Sequence, residues 1–324
     1  MKAIITGGAG FIGSHLVDLL IKKKYQVIVI DNFSTGRINN LSHVKNKITI
    51  VKGDLSRLGK WKNFFQNVDV VFHLAAQADI VPSIQKPKSY FNSNVTGTIN
   101  VLELCVKFKI KKIVYAASSS CYGIPDKFPT KEKSTIKPEY PYALTKCLGE
   151  QLIMHWSKVY NLTTVSLRFF NVFGTRSRTS GTYGAVFGVF LKQKLSNKPF
   201  TIVGDGKQKR DFTYVTDVAN ALYLASNYTK TDIFNVGSGK PKSINYLVKL
   251  LVGDKVYIPK RPGEPDITYA DITKIKRKLS WQPKISFEAG VKKVLKSINN
   301  WHDAPLWTPE KINKATKDWF KYLD

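Results

Sequence analysis

The chain has 324 residues, more than one ordinary core of about 100–200 residues requires, which suits a large α/β domain with a smaller partner. Hydrophobic residues make up 43% and charged residues 23%, a globular balance that excludes disorder, and no apolar run reaches the roughly 18 residues of a membrane span. The net charge is +28, yet only eight of the 51 basic residues are Arg, and the lysines are spread along the chain. Base readout and stacking favour Arg, so this charge predicts solvated surface that attracts an anionic substrate, with no specific nucleic-acid partner. Cys105, Cys121 and Cys147 are odd in number and form no CxxC, which predicts neither a disulfide framework nor a metal site. With an apolar start too short for a signal peptide, they point to a reducing cytoplasm and no membrane.

In chain order, short apolar strands are expected at Ala3–Thr6, Gln26–Ile30, Ile48–Val51, Val68–His73, Lys112–Ala116 and Thr164–Leu167. Between them lie segments with helical spacing, such as Ile12, Leu16, Leu19 and Leu20. This alternation predicts a doubly wound parallel sheet covered on both faces. A late strand, Ile233–Val236, is expected to return to it. One unit then comprises residues 1–171 plus about 207–238, the other about 172–206 and 239–324. Near the C-terminus, Thr308-Pro309 marks a helix start. The tail's Trp301, Trp307 and Trp319 are expected to dock that helix by packing rather than to form a sugar platform.

The first strand runs into Gly7, Gly10 and Gly13, a G-x-x-G-x-x-G loop opening a helix. A dinucleotide pyrophosphate needs bare N–H donors at a helix start, where a Cβ would block its approach. Asp31 ends the second strand 18 residues after Gly13, the place of a carboxylate that binds adenosine ribose hydroxyls. That carboxylate favours NAD over NADP, although Arg37 nearby weakens the distinction. Asp54-Leu55 follows the third strand, where an adenine contact or a loop-capping Asp are both open readings.

Tyr142 and Lys146 stand four residues apart and share a helix face. A free phenol is a poor base at neutral pH, and a neighbouring ammonium favours the phenolate. Ser118, Ser119 and Ser120 end the fifth strand, where a hydroxyl would complete a Ser–Tyr–Lys relay or simply turn the chain.

These residues resemble the extended short-chain dehydrogenase/reductase family, and within it the UDP-glucose/UDP-N-acetylglucosamine 4-epimerase type. The resemblance runs through Asp31–Gly36, Leu74-Ala75-Ala76, Ser118–Gly123, Tyr142–Lys146, Arg168–Gly174, Gly204–Val215 and Arg261–Glu264, about residues 1–290. It implies a Rossmann-type NAD unit and a smaller nucleotide-sugar unit, and a homodimer through helices near 94–108 and 142–160. Tyr142 would be the base, Lys146 would hold the nicotinamide ribose, and Ser118 would bind the sugar 4-hydroxyl, a role that Ser119 and Ser120 could share. NAD contacts would come from Gly7, Gly10, Phe11, Ile12, Gly13, Asp31, Asn32, Ser34, Thr35 and Gly36. Further contacts would come from Asp54, Leu55, Leu74, Ala75, Ala76 and Asn94, the last supporting the site's geometry. Asn171 would touch the substrate, Arg210 and Arg261 would grip its diphosphate, and small Thr268 would leave room for an N-acetyl group.

Related 4,6-dehydratases carry Asp-Glu where this chain has Ser119-Ser120, and uronate decarboxylases a Glu in the same loop, so epimerisation is the simplest chemistry. The resemblance implies a UDP-hexose substrate, with UDP-N-acetylglucosamine and a UDP-uronate both open; a deoxysugar or 2-epimerising variant, dehydration, decarboxylation and a non-catalytic NAD- or RNA-binding module are the alternatives. Arg176 and Arg178 depart from the epimerase pattern and could meet a phosphate, a uronate or solvent.

Overall fold

The computed structural model describes residues 1–177 and 184–323. It opens with β1 (Lys2–Thr6), α1 (Phe11–Lys22), β2 (Gln26–Asp31), β3 (Ile48–Lys52) and β4 (Val70–His73). Next come α2 (Ile80–Gln85), α3 (Pro87–Phe91), a π turn at Asn92–Thr96 and α4 (Gly97–Lys107), then β5 (Lys112–Ser118), α5 (Pro141–Tyr160) and β6 (Thr163–Phe169). β1, β2 and β3 are rich in β-branched residues, and β1, β2, β4, β5 and β6 are buried along most of their length, as central parallel strands require. All pairings are parallel, and the order across the sheet is β3-β2-β1-β4-β5-β6. The strand order reverses between β1 and β4, which opens a crevice at their C-terminal ends.

The period of two along the strands divides the core. Ala3, Ile5, Val114 and Ala116 lie on the face covered by α1 and a later helix, with Leu16, Val17, Leu20, Val218 and Leu222. Ile4, Ile113, Tyr115 and Ala117 face Val101, Leu102 and Cys105 of α4 and Ile153 of α5. Gly149 lets α5 lie close to β5, because a Cβ there would sit 2.2 Å from the Tyr115 hydroxyl.

The chain continues with β7 (Asn171–Phe173), α6 (Val186–Leu195), β8 (Phe200–Val203), β9 (Lys209–Arg210), β10 (Phe212–Tyr214), α7 (Val215–Asn227) and β11 (Asp232–Val236). β11 pairs with β6 as the seventh strand, as its sequence predicts. Then follow β12 (Lys242–Ser243), α8 (Ile244–Leu251), β13 (Lys255–Ile258), α9 (Thr273–Leu279), α10 (Phe287–Lys296) and α11 (Pro309–Leu323), which starts at the predicted Pro309.

A second core gathers Phe173, Phe187, Phe212 and Phe287, with Phe187 stacked on Phe173 at 4.8 Å and Phe287 on Phe212 at 4.9 Å. Phe212 and Tyr214 belong to the second core, because β10 pairs with β7. Ile275, Leu279 and Trp281 return to the large sheet's core under α7. Among the described residues no helix is long and apolar enough to cross a membrane, and all three cysteines are buried and unpaired.

Candidate active site

A cavity of about 710 Å³ runs from the crevice at β1 and β4 to the loops of the second core. Its floor is the glycine turn. Gly7 has φ +70° and lies against residues 74–75, where a Cβ would fall 2.8 Å from the Ala75 backbone. A Cβ on Gly13 would come 2.3 Å from the Gly7 carbonyl. α1 starts at Phe11, with Gly10 as an N-cap that has no side chain, so its first N–H groups face a cradle that side chains would fill.

Phe11, Ile12, Asn32, Ser34, Thr35 and Gly36 lie along the same wall, as do Leu55, Leu74, Ala75 and Ala76. Asp31 also lies there, its carboxylate accepting the N–H groups of Ala9 at 3.0 Å and Phe33 at 2.8 Å. Burial raises its pKa against those two bonds. It therefore holds the glycine turn to the end of β2 while facing the cavity. These residues fit an adenine dinucleotide. Arg37 reaches the Ser177 carbonyl at 3.2 Å instead of the cavity. Asp54 lines the wall and caps its own turn, accepting from the N–H and hydroxyl of Ser56.

Midway along the cavity, α5 presents Tyr142 and Lys146 beside Ser118 at the end of β5. Ser118 accepts from the N–H of Ser120 at 3.2 Å and its hydroxyl at 2.8 Å. Its own hydroxyl bonds the Tyr142 phenol and lowers that group's pKa. The net shift of Tyr142 is nevertheless upward, first from burial and then from the charge of Asp79. The Lys146 ammonium lies over the Tyr115 ring, 4.3 Å from its centroid, and burial pushes its pKa down to about 7 against the pull of Glu150.

Burying that ammonium opposes folding at low pH. The native state sheds the proton near pH 7, whereas an unfolded lysine keeps it to about 10.4. The penalty is full below pH 7 and is relieved as pH rises toward that unfolded value. Lys146→Met should therefore stabilise the nucleotide-free protein at pH 6 by on the order of 2 kcal/mol, with a smaller gain at pH 9. Thermal melts at the two pH values check this; a variant less stable at pH 6 would disprove the buried-cation account.

Asn94, in the π turn, does not line the cavity. It accepts the Gln77 N–H at 2.8 Å and donates to the Gln77 carbonyl and to Thr145 Oγ1, both at 3.0 Å. It therefore ties the loop after β4 to the helix carrying Tyr142.

Sequence reasoning missed the polar chain beneath it. Thr98 donates to the Asn94 carbonyl at 2.6 Å, so its oxygen accepts from His73 Nε2 at 2.9 Å, and His73 Nδ1 accepts from Thr6 at 2.7 Å. His73 is fully buried and its pKa is pushed down to about 3, by burial and then by Lys146, so it stays neutral. Asp79, at the start of α2, was also missed. No motif marks either residue; strand pairing and the crevice bring them to the site.

At the far end, Asn171 accepts from Thr268 Oγ1 at 2.7 Å, and Thr268 accepts the Asp211 N–H at 3.0 Å. Both line the cavity, with Thr268 tethered at both bonds. Arg210 and Arg261 converge on Glu264, at 2.8 Å and 3.7 Å. Ser119 and Ser120 also open on the cavity. Arg176 pairs with Asp18 at 2.8 Å, away from the cavity, and Arg178 lies outside the described residues. Trp301 packs in the second core, whereas Trp307 and Trp319 reach the cavity wall. Among the described residues no cluster of three His, Cys, Asp or Glu forms a metal site.

A switch-point glycine turn, an acidic end to β2 and a Ser–Tyr–Lys set on one cavity define a short-chain dehydrogenase/reductase. A family model described as GDP-mannose 4,6 dehydratase matches residues 4–294, and the chain belongs to that family, among the extended members of this class. It is 40% identical over 306 residues to a putative UDP-glucose 4-epimerase of Methanocaldococcus jannaschii, covering 92% of this chain and 98% of that one. The structure resembles the Thermotoga maritima UDP-glucose 4-epimerase solved with UDP-glucose, at TM-score 0.88 and 34% identity, covering 93% and 99% of the two chains. It also resembles the Bacillus cereus UDP-glucuronic acid 4-epimerase solved with UDP-glucuronic acid and NAD, at TM-score 0.86 and 32% identity, covering 93% and 99%.

Proposed function

We propose that this protein is an NAD-dependent 4-epimerase of UDP-hexoses, glucose- or N-acetylglucosamine-type. The observation that carries the reading is one cavity joining the glycine cradle, the Ser118–Tyr142–Lys146 set and the Arg210/Arg261 pair. Gly7, Gly10, Gly13 and the N-terminus of α1 would hold the pyrophosphate of NAD, and Asp31 a ribose. NAD, when bound, supplies a positive ring that takes a hydride from C4 of the sugar and returns it to the opposite face. Tyr142, ionised, removes the 4-hydroxyl proton during oxidation and gives it back during reduction, with Ser118 holding that oxygen. Lys146, in its cationic form, would hold the nicotinamide ribose. Arg210 and Arg261 grip the diphosphate bidentately while the keto sugar turns.

Ser119 and Ser120 follow Ser118, where a dehydratase would need its acid–base pair, which favours epimerisation. Asp79 bears on the sugar. Its carboxylate is near enough to Tyr142 to oppose the phenol's ionisation, so a uronate would meet like charge there. NMR of products from UDP-glucose, UDP-N-acetylglucosamine and UDP-glucuronate tests the reading. Inversion at C4 of a neutral sugar is expected, with UDP-glucuronate at least about tenfold slower and Asp79→Asn narrowing the gap. Recovery of only 4-keto-6-deoxy sugar or pentose would refute epimerisation.

The homodimer and the reducing cytoplasm belong to the same proposal. Val106 on α4 and Leu144, Val159 and Tyr160 on α5 are exposed, which supports pairing of two copies through these helices. Sedimentation at the mass of one chain would exclude that pairing. The three unpaired cysteines support the compartment.

A further inference from the structure

We propose that Trp319 is a positioning residue for Arg261, and that α11 thereby shapes the diphosphate end of the cleft; this rests on the UDP-sugar reading above. α11 lies beyond the 4–294 match. Its Ile312, Ala315, Thr316 and Trp319 recur at three- and four-residue spacing and form one inward stripe. Ile312 packs with Trp301 and Ala304 in the second core. About two turns later Trp319, only 4% exposed, reaches the cavity wall beside Arg261.

Two contacts join Trp319 to the Arg261 loop. The Arg261 guanidinium carbon lies 5.3 Å from the Trp319 ring centroid. The indole Nε1 donates to the Pro262 carbonyl at 2.8 Å. The preceding residue, Asp318, accepts from Gln85 at 2.8 Å, at the end of α2, whose start carries Asp79 and Ile80 on the cavity wall. α11 therefore links both sides of the cleft.

The chemistry of the loop makes this useful. Residues 259–265 have no helix or strand, and Gly263 within them has φ +66° with open space around it. A guanidinium on such a loop loses conformational freedom when it grips a phosphate, and holding it beforehand reduces that cost. An aromatic face suits the task because it holds the cation without neutralising it, leaving the N–H edge available to phosphate. Glu264, by contrast, brings a competing negative charge that Arg261 shares with Arg210.

The test is calorimetric binding of UDP to the NAD-loaded protein in a double-mutant cycle. Trp319→Ala should weaken UDP by about tenfold or more, while bound NAD stays at the wild-type level. Arg261→Ala should weaken it further, and the double variant should be no weaker than Arg261→Ala alone. Trp319→Phe, which keeps a ring face and loses the indole N–H, should recover most of the affinity and guards against an unfolded alanine variant. In turnover the Trp319→Ala change should raise KM and leave kcat within about threefold, the pattern of lost uniform binding. Multiplicative losses in the double variant, or wild-type UDP affinity in Trp319→Ala, would overturn the proposal. Failure of the wild-type protein to bind UDP would overturn the substrate reading instead.

Discussion

Tyr142→Phe is expected to lower kcat by about a thousandfold, the scale of a lost general base, while the purified protein retains NAD. The substitution removes one oxygen and little else: the ring stays stacked on Tyr140, 6.4 Å and 12° apart, so the start of α5 is preserved. An epimerase assay and the nucleotide released on denaturation check the two halves. Turnover within tenfold of wild type would remove Tyr142 from its role as base. The pH dependence of kcat/KM carries a sharper expectation. Ser118 is the group that lowers the Tyr142 pKa, and Asp79 is one that raises it. The ascending limb should move to higher pH in Ser118→Ala and to lower pH in Asp79→Asn, because that limb reports ionisation of the base in the free enzyme. Shifts of the opposite sign would mean that another group titrates.

The largest expected loss of stability is at Glu150→Ala. Glu150 lies on α5 one turn after Lys146 and faces Arg168 of β6, with side chains 8% and 5% exposed. Its Oε1 meets Arg168 Nη2 at 2.5 Å, and Oε2 accepts from Ser166 at 2.7 Å. Arg168 also donates to the Tyr122 hydroxyl at 2.7 Å and the Glu132 carbonyl at 3.0 Å. Removing the carboxylate leaves a guanidinium buried without its counter-charge, which costs about 3–5 kcal/mol. A melting temperature lower by roughly 4–7 °C should follow. The variant also deprives Lys146 of the charge that raises its pKa, so the lysine should lose its proton at still lower pH. A variant as stable as wild type would show that the pair is dispensable. Arg168 lies in the motif shared with the epimerases, and its contacts show it bracing α5 against the sheet rather than touching the cavity.

The elements that could be read in advance share one property: their signals are local. Hydrophobic runs of Ile and Val mark β1, β2, β4 and β5, and a glycine turn between a strand and a helix has few other uses. The four-residue step from Tyr142 to Lys146 puts both on one helix face whatever the tertiary context. Thr308-Pro309 likewise announces α11.

What escaped the sequence depends on groups meeting from far apart. Asn94 is marked in the sequence by the family resemblance alone, and its partners Gln77 and Thr145 emerge only where the π turn aims its amide. His73 becomes a neutral strut because burial and the Lys146 ammonium hold its pKa down, while Thr6 and Thr98 close on its two nitrogens. The two arginines of residues 176 and 178 resemble an anion site, yet Arg176 is bound to Asp18. Tyr142 illustrates the general reason. The sequence alone determined that a phenol, an ammonium and a serine are available with the spacing for a relay, because backbone geometry sets spacing. Only the tertiary structure decided their ionisation and their surroundings. Burial, the Asp79 charge and the Trp319 contact with Arg261 come from chain segments that meet only in the folded state, and desolvation is a property of the folded whole.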